Sequence, residues 1–438
     1  MKEVELTEDY KYYLVTFFIY LSIFIQSYIF FKEPFEFQFG YLIYILLLPG
    51  FFRRHRLSRP LVLVFLILLI VGIVNVLFDN NSVELFLKVF TGMTLSYFFY
   101  YYVLVQFEFN IEQLFKWYLK GSYICSLIGL YQFLGFVFGS IKWYNLSRFI
   151  PFNKWSLSYT SSGNLRINSI FCEPAHLASI LSAAFFISLY NLTKKEDVYI
   201  NKFKSIIIVS VYILSFSSLA QTGILVAILL LFLSYGIIKY LILVVPLILI
   251  TFNFIYDNVP EFRQRYDSII SLVEGEKFIL GKTHGSSFIL YNNYVVASEN
   301  FKTNFLFGTG IGSHAFAFNI HSLSKDIKQK GFDSNSADAN SMFLRLMSET
   351  GLYGLIIFLY IIITGYVKRD PKRLTYHWLI SNAILLMILL NLFRQGHYFL
   401  YGFPFFIFLY YFNGAAYKDF VNGNPSEHDL YLLEDKKN

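Results

Sequence analysis

The sequence predicts an all-α integral membrane protein with about twelve transmembrane helices. Of its 438 residues, 56% are hydrophobic and 21% aromatic, and only 15% are charged, whereas a soluble domain has about 25% charged residues. The apolar residues fall in blocks of about 20, the length of helix that crosses the hydrocarbon core of a bilayer. The short loops between the blocks are basic, which is typical of the cytoplasmic side of a multi-pass membrane protein.

Twelve segments have the length and apolarity of a transmembrane helix. The first follows a mostly acidic N-terminus with no basic region and no small-residue cleavage site, so we expect it to be retained and not removed as a signal peptide. In chain order the predicted spans are 12–32, 35–52, 60–78, 84–105, 117–139, 172–192, 204–218, 220–238, 240–256, 341–366, 376–393 and 397–413.

The basic loops orient these spans. With twelve spans, the loops 53–59 and 193–204, Lys239 and the loop 368–373 all lie on one side, which is then the cytoplasm. Both termini, including a tail at 414–438, are predicted to be cytoplasmic. This placement explains the excess of 36 Lys and Arg over 29 Asp and Glu, so we expect a lipid bilayer as the surrounding partner and no nucleic acid.

Two long loops lie on the opposite, extracytoplasmic side, at 140–171 and 257–340. Parts of 257–340 have helical apolar spacing and many aromatic residues, so we expect this loop to lie on the membrane. Residues 1–438 would then form a single polytopic membrane domain. The two cysteines, Cys125 and Cys172, are too few for a disulfide framework or a metal cluster, and no metal or other cofactor is predicted.

The stretch RINSIFCEPAHLASIL (166–181) places titratable groups at the outer end of the sixth span. Pro174 suits the first turn of a helix, and Glu173 before it would interact favourably with the helix dipole. His176 lies three residues further on, on the same helix face. Ionisable groups at this depth often mark a functional site, so Glu173 and His176 are the predicted catalytic residues. The alternative is a helix-start charge beside an interfacial histidine.

Further cations are predicted at the same outer level. A group of cations suits a phosphate or pyrophosphate, because Arg and Lys bind such groups by charge and by fork geometry. Each of them could alternatively extend from the membrane to its interface. The predicted substrate-binding cations are Lys88, Arg166, Arg263, Arg265, Arg394 and His397.

The tenth predicted span contains Arg345 and Glu349, which are four residues apart and predicted to form a buried ion pair. Gly351 and Gly354 would permit close contact with another helix. Upstream, FLFGTGIGSHAF (305–316) has three alternate glycines. No strand precedes it and no Walker lysine follows, so a nucleotide site is not expected here, and a tight turn on the membrane surface is predicted instead.

The order of these features resembles that of the O-antigen polymerase and O-antigen ligase superfamily. The resemblance lies in the twelve spans, the long loop between spans nine and ten, the stretch at 166–181, the glycine turn at 308–312 and the pattern from Asn340 to Gly354. It implies transfer of a glycan from an undecaprenyl pyrophosphate carrier, at the outer face of the bacterial cytoplasmic membrane. It also implies that basic residues hold the pyrophosphate, and that no metal or nucleotide is needed.

Departures from the family pattern favour one branch. Ligases have a histidine eleven residues before the glycine that corresponds to Gly351, where this chain has Asn340, a further candidate substrate-binding residue. This missing histidine favours a polymerase, whereas the arginines that many members have in the regions 283–293 and 217–224 are missing here, so those site residues have no counterpart in this chain. A polymerase of repeat units into O-antigen, capsule or exopolysaccharide is therefore predicted, with a flippase and a chain-length regulator as expected partners. A glycan ligase is the alternative, followed by a flippase or other transporter.

Overall fold

The computed structural model is built almost entirely of helices. It describes residues 8–25, 28–31, 36–56, 58–148, 155–160, 162–194, 197–236, 249–250, 252–253, 256–258, 260–275, 284–323, 335–371 and 376–422. The helices are α1 (Glu8–Phe24), α2 (Phe39–Arg54), α3 (Arg59–Leu77), α4 (Val83–Gln106), α5 (Ile111–Val137), α6 (Ile141–Tyr144), α7 (Pro174–Thr193), α8 (Lys202–Leu214), α9 (Ser218–Ser234), α10 (Pro260–Val273), α11 (Gly285–Thr303), α12 (His314–His321), α13 (Met342–Gly365), α14 (His377–Arg394) and α15 (Phe403–Val421).

Four of the described helices, α3, α7, α13 and α14, are both long and apolar enough to cross a bilayer. Two further apolar helices are shorter, at Phe39–Arg53 and Ser218–Ser234. The predicted class, an all-α membrane protein, is therefore confirmed. The total of twelve spans stays a prediction. The predicted span 240–256 and Lys239 lie largely outside the described residues, as do most of the tail and parts of the loop 257–340.

The first and last predicted spans differ from the structure. Helix α1 ends at Phe24, and Ile29–Phe31 pairs antiparallel with Phe37–Gln38 as a two-stranded sheet. A short apolar run such as 28–32 cannot be assigned to helix or strand from periodicity alone. The last helix begins at Phe403 instead of 397, because Tyr401 and Gly402 have positive φ angles of 51° and 66°, which lie far from the angles of a right-handed α-helix. It then continues to Val421.

Helices α7 and α14 form the centre of the bundle. They pack against each other, and α7 also contacts α8 and α9. Most of the side chains of α7 and α14 are buried, whereas α3 buries only Phe65 and Gly72. A helix that is apolar on every face and exposed in the isolated chain is expected to face lipid. Asn391 of α14 donates to the Ser179 hydroxyl of α7 at 3.1 Å, so the first turns of α7 and the last turn of α14 lie at the same end of the bundle, partly buried.

Helix α13 is broken at Gly351, which has φ 60° and ψ −151°. The segment 305–310 packs into the break. The N–H groups of Leu352 and Tyr353 donate to the carbonyl oxygens of Phe305 (2.8 Å) and Leu306 (3.0 Å). A Cβ atom on Gly308 would lie 2.5 Å from the carbonyl carbon of Glu349, so the two backbones meet where only glycine fits.

One prediction made for these glycines is wrong. The predicted tight turn at 308–312 is buried between α13 and the α3–α4 connection, where Asn81 donates to the carbonyl of Ile311 at 3.0 Å, and its location at the membrane surface stays a prediction. Gly351 contacts this turn and not another helix, and Gly354 faces the side chain of Thr350 in its own helix. The reason is the helix break, whose exposed backbone groups must find partners inside the protein.

The long loop 257–340 contains α10, α11 and α12 among its described residues. Helix α11 packs against α13 and α12, and α10 packs against α11. These contacts bring the N-terminal half of α10 toward the bundle. The other long loop, 140–171, contains α6 and a short 3-10 turn at Leu146–Arg148. Asn168 and Gln132 hold this loop on α5, since the Gln132 amide donates to Asn168 Oδ1 at 2.9 Å.

Candidate functional site

The predicted ion pair of α13 is confirmed and anchors the segment 395–402, which connects α14 to α15. Arg345 Nε donates to Glu349 Oε1 at 2.9 Å, and the two side chains are 5% and 0% exposed. Arg345 Nη1 also donates to the carbonyl oxygen of Gly396 at 2.7 Å, and the Tyr398 hydroxyl donates to Glu349 Oε2 at 3.0 Å. A buried ion pair that is also satisfied by further hydrogen bonds is a rigid attachment point.

Six polar side chains from four parts of the chain, two of them from this segment, lie near one another, and we call them the Asp338 cluster. His397 Nε2 lies 3.1 Å from Asp338 Oδ2. The Tyr401 hydroxyl and His176 Nδ1 are hydrogen-bonded at 2.8 Å, and the rings of His176 and His397 are 6.3 Å apart. The members of the cluster are Arg166, Glu173, His176, Asp338, His397 and Tyr401.

Glu173 is the N-cap residue of α7, and Pro174 opens the helix as predicted. Its carboxylate reaches solvent on one side, but protein surrounds it elsewhere, and this burial raises its pKa. The negative charge of Asp338 raises the pKa further, whereas the positive charge of Arg166 lowers it. Arg166 is placed by a short bridge in its loop, where its N–H donates to the carbonyl of Ser158 at 3.0 Å.

A second group is the arginine pair, Arg265 of α10 and Arg394 at the end of α14. The positive charge of Arg265 acts directly on the half-buried Arg394. Among the described residues, neither guanidinium has a carboxylate within ion-pair distance, and Arg265 Nε is buried without a hydrogen-bond partner. Two neighbouring cations repel each other, and an anion bound between them would relieve that repulsion.

An apolar groove of about 480 Å³ lies beside the arginine pair, and we call it the arginine groove. A residue of its lining adjoins each of the two arginines. Phe393 precedes Arg394 in the chain, and the Ser287 hydroxyl, which lines the groove, donates to the carbonyl of Arg265 at 3.4 Å. The groove is lined by Ile269, Ser287, Leu290, Tyr291, Tyr294, Ser341, Phe343, Leu344, Leu389, Leu392 and Phe393.

Two of the predicted cations lie elsewhere. Arg263 is exposed, forms an ion pair with Asp257 at 3.5 Å and stacks on Tyr256 at 5.1 Å. Lys88 is exposed on α4 and lines a separate groove of about 420 Å³. The six predicted cations therefore do not form one group. Arg166 and His397 lie in the Asp338 cluster, Arg265 and Arg394 form the arginine pair, and Lys88 and Arg263 each lie apart.

Sequence reasoning missed Asp338, Tyr398 and Tyr401. Asp338 lies only two residues before the predicted Asn340, whose N–H donates to Asp338 Oδ1 at 2.9 Å, so a carboxylate so near a candidate residue was an available signal. The two tyrosines gave none, since they belong to an aromatic run that reads as membrane span. Among the described residues, no three His, Cys, Asp or Glu side chains are grouped so that they could hold a metal ion.

Residues 203–359 match the family model described as O-antigen ligase. No curated protein matches the chain significantly. The matched segment runs from α8 into α13 and includes Arg265, Asp338, Asn340 and the Arg345–Glu349 pair. The resemblance of this chain to the O-antigen polymerase and ligase superfamily is therefore confirmed, with residues 203–359 as the segment that matches the family model.

Proposed function

We propose that the protein is a polysaccharide polymerase, which joins oligosaccharide repeat units carried on undecaprenyl pyrophosphate at the outer face of the bacterial cytoplasmic membrane. The observation that carries this proposal is the arginine pair beside an apolar groove. A flippase would supply the repeat units, and a chain-length regulator would be a further partner. The product would be a surface polysaccharide such as O-antigen, capsule or exopolysaccharide.

The arginine pair and the arginine groove together fit an amphiphilic anion. A half-buried cation without a counter-ion is costly, and Arg394 is half-buried beside the second cation, Arg265. A pyrophosphate group would neutralise both guanidinium groups through charge-assisted, forked hydrogen bonds. The adjoining groove is apolar and of the size that holds one small-molecule ligand, so it suits the first isoprene units of the carrier.

The reaction is a substitution at the anomeric carbon of the donor sugar. A hydroxyl oxygen of the acceptor glycan forms the new bond to this carbon, and the bond from the carbon to the pyrophosphate oxygen breaks. The pyrophosphate leaves with the electron pair, and the arginine pair stabilises the negative charge that develops on it. The hydroxyl proton passes to a general base in the Asp338 cluster.

His397 with Asp338 is the base that the geometry favours. A carboxylate 3.1 Å from the imidazole orients the ring and stabilises it after it accepts a proton. His397 is three residues from Arg394, a distance of at most about 11 Å along an extended chain, so the base and the leaving-group site are close. Glu173 and His176, the catalytic residues predicted from the sequence, lie in the same cluster.

A glycan ligase is the second candidate, because the matching family model is described as O-antigen ligase. The two activities share a donor and differ in the acceptor. Purified protein with a lipid-linked repeat unit alone yields a ladder of products if it is a polymerase. A ligase yields no ladder and transfers glycan only when a different acceptor is added. A lack of any ladder in the presence of transfer would assign the chain to the ligase branch.

The test of the site compares three cations of the same region in the ladder assay. Replacing Arg265 and Arg394 together by alanine is expected to abolish polymer formation. Arg263→Ala is the matched control, because Arg263 lies on the same helix but is exposed and already paired with Asp257, so near-normal activity is expected. Normal polymer from the double variant, at normal membrane levels, would contradict the assignment of the leaving-group site.

A further inference from the structure

A second groove opens on the α2–α4 side of the bundle, and we call it the Lys88 groove. It has a volume of about 420 Å³, close to that of the arginine groove. Its wall is mainly apolar, with a single lysine and a single glutamate. The lining residues are Phe37, Tyr41, Ile45, Glu84, Leu87, Lys88, Thr91, Gly92 and Leu95.

The two grooves adjoin opposite ends of one short stretch of chain. Phe393 lines the arginine groove. Six residues later, the ring of Phe399 packs against Gly92 in the wall of the Lys88 groove, so closely that a Cβ on Gly92 would lie 2.6 Å from it. His397 of the Asp338 cluster lies between these two phenylalanines in the chain. Residues 393–399 therefore link the two grooves, with His397 of the Asp338 cluster between them.

The grooves differ in charge. The arginine groove adjoins two cations that have no carboxylate partner among the described residues. The Lys88 groove has one cation, Lys88, and one anion, Glu84. Glu84 lies in the first turn of α4, where the positive end of the helix dipole partly offsets its charge. The two charges formally cancel, so Lys88 offers a phosphate one ammonium group but much less net positive charge than the arginine pair supplies.

This difference matches the unequal needs of the two substrates of a polymerase. The donor pyrophosphate gains negative charge as it leaves, so it requires strong stabilisation. The acceptor also arrives on a lipid carrier, but the charge of its pyrophosphate does not change during the reaction. We propose that the Lys88 groove is a second lipid site, which holds the polyprenyl pyrophosphate of the acceptor glycan while the arginine groove holds that of the donor. This proposal rests on the proposed polymerase function.

Photo-cross-linking distinguishes the two sites. A photoreactive amino acid replaces Leu95 in the Lys88 groove, Phe343 in the arginine groove, or Leu66, which is 48% exposed on α3 and lines neither groove. The full-length protein in nanodiscs is incubated with polyprenyl pyrophosphate that carries no glycan. We expect labelling at Leu95 and Phe343 well above that at Leu66. We also expect Lys88→Ala to lower labelling at Leu95 by about tenfold and to leave labelling at Phe343 unchanged.

The outcomes separate this proposal from the polymerase function. Labelling at Phe343 with only background labelling at Leu95 would overturn the second site and leave the polymerase function standing. Labelling at neither position would count against both. Equal labelling of Leu95 by a phosphatidylethanolamine probe would show a groove for ordinary bilayer lipid and would also overturn the proposal. Native mass spectrometry should show two polyprenyl pyrophosphates per chain, and one per chain in Lys88→Ala.

Discussion

The Asp338 cluster and the arginine pair are neighbours along the chain, since His397 of the cluster follows Arg394 of the pair by three residues. Their charges are nevertheless arranged differently. In the cluster, groups of both signs are mixed: two carboxylates lie with one arginine and two histidines, and His397 lies 3.1 Å from Asp338. In the pair, two neighbouring guanidinium groups have no carboxylate partner among the described residues. A mixed cluster of titratable groups can accept and release protons, whereas a pair of like charges attracts an anion.

The largest effect is expected from a change that leaves the shape of the cluster intact. Asp338→Asn removes the carboxylate that orients His397, and the proposed general base is then lost, at a cost of about 10²–10⁴-fold in the rate of polymer formation. Binding of lipid-linked donor to the arginine pair should stay unchanged. The measurement is single-turnover product formation at saturating donor, together with donor affinity. Equal losses in the rate and in the donor affinity would contradict the assignment of proton transfer to the cluster and of donor binding to the arginine pair.

The attachment of segment 395–402 is tested next, because this segment positions both regions. Glu349→Ala leaves the buried Arg345 guanidinium without its partner, which typically costs about 3–5 kcal/mol of stability. The matched control is Glu112→Ala, since Glu112 and Lys116 form an ion pair with the same four-residue spacing at 2.7 Å that is partly exposed. Such pairs contribute about 0.3–0.5 kcal/mol.

Thermal unfolding in detergent, followed by circular dichroism, measures both variants. The expected order is a large drop in midpoint temperature for Glu349→Ala and a small one for Glu112→Ala. Similar drops in the two variants would mean that the buried pair does not anchor the segment. Tyr398→Phe keeps the ion pair and removes one hydrogen bond to Glu349, so its effect should lie between the two.

Arg166 tests whether the cluster also binds substrate. If its guanidinium holds part of the carrier pyrophosphate, Arg166→Ala should weaken donor binding by about 10–100-fold, the range of a charge-assisted hydrogen bond. Arg166→Lys should recover little, because a point charge does not reproduce the guanidinium fork. Isothermal titration with the lipid-linked repeat unit measures both. Full binding by both variants would confine substrate binding to the arginine pair.

The sequence predicts the helices better than it predicts the site. Apolar blocks of 20 residues identify α3, α7, α13 and α14, because length and apolarity are local properties. The Arg345–Glu349 pair was also predictable, since its four-residue spacing is a property of a single helix. In contrast, the division of the cations into cluster, pair and separate residues depends on how α10, α14 and the loops are placed in the tertiary structure, which no local pattern encodes.

The aromatic residues show the same limit of prediction from local sequence patterns. Tyr398 and Tyr401 belong to a run of apolar and aromatic residues that reads as the start of a span, and only the positive φ angles of Tyr401 and Gly402 end that pattern. Likewise, the glycines at 308–312 indicated a tight turn, but not that the turn would fill a break in α13. Tertiary packing, and not sequence spacing, determines which groups these tyrosines and this turn contact.

The smallest expected effect is a shift in the ionisation of Glu173. Burial and Asp338 raise its pKa above the ordinary 4.5, and Arg166 opposes this. Glu173 is therefore protonated below that raised pKa and ionised above it. Asp338→Asn removes a negative neighbour and should lower the pKa of Glu173, whereas Arg166→Ala removes a positive neighbour and should raise it. Infrared titration of the carboxyl band, with Glu173→Gln as the subtraction reference, measures these shifts without any need for activity. Shifts of the same sign in both variants would show that Glu173 does not lie between the two charges. Opposite shifts would place its carboxylate between charges of both signs, where a proton can be exchanged, and would support the contrast with the arginine pair.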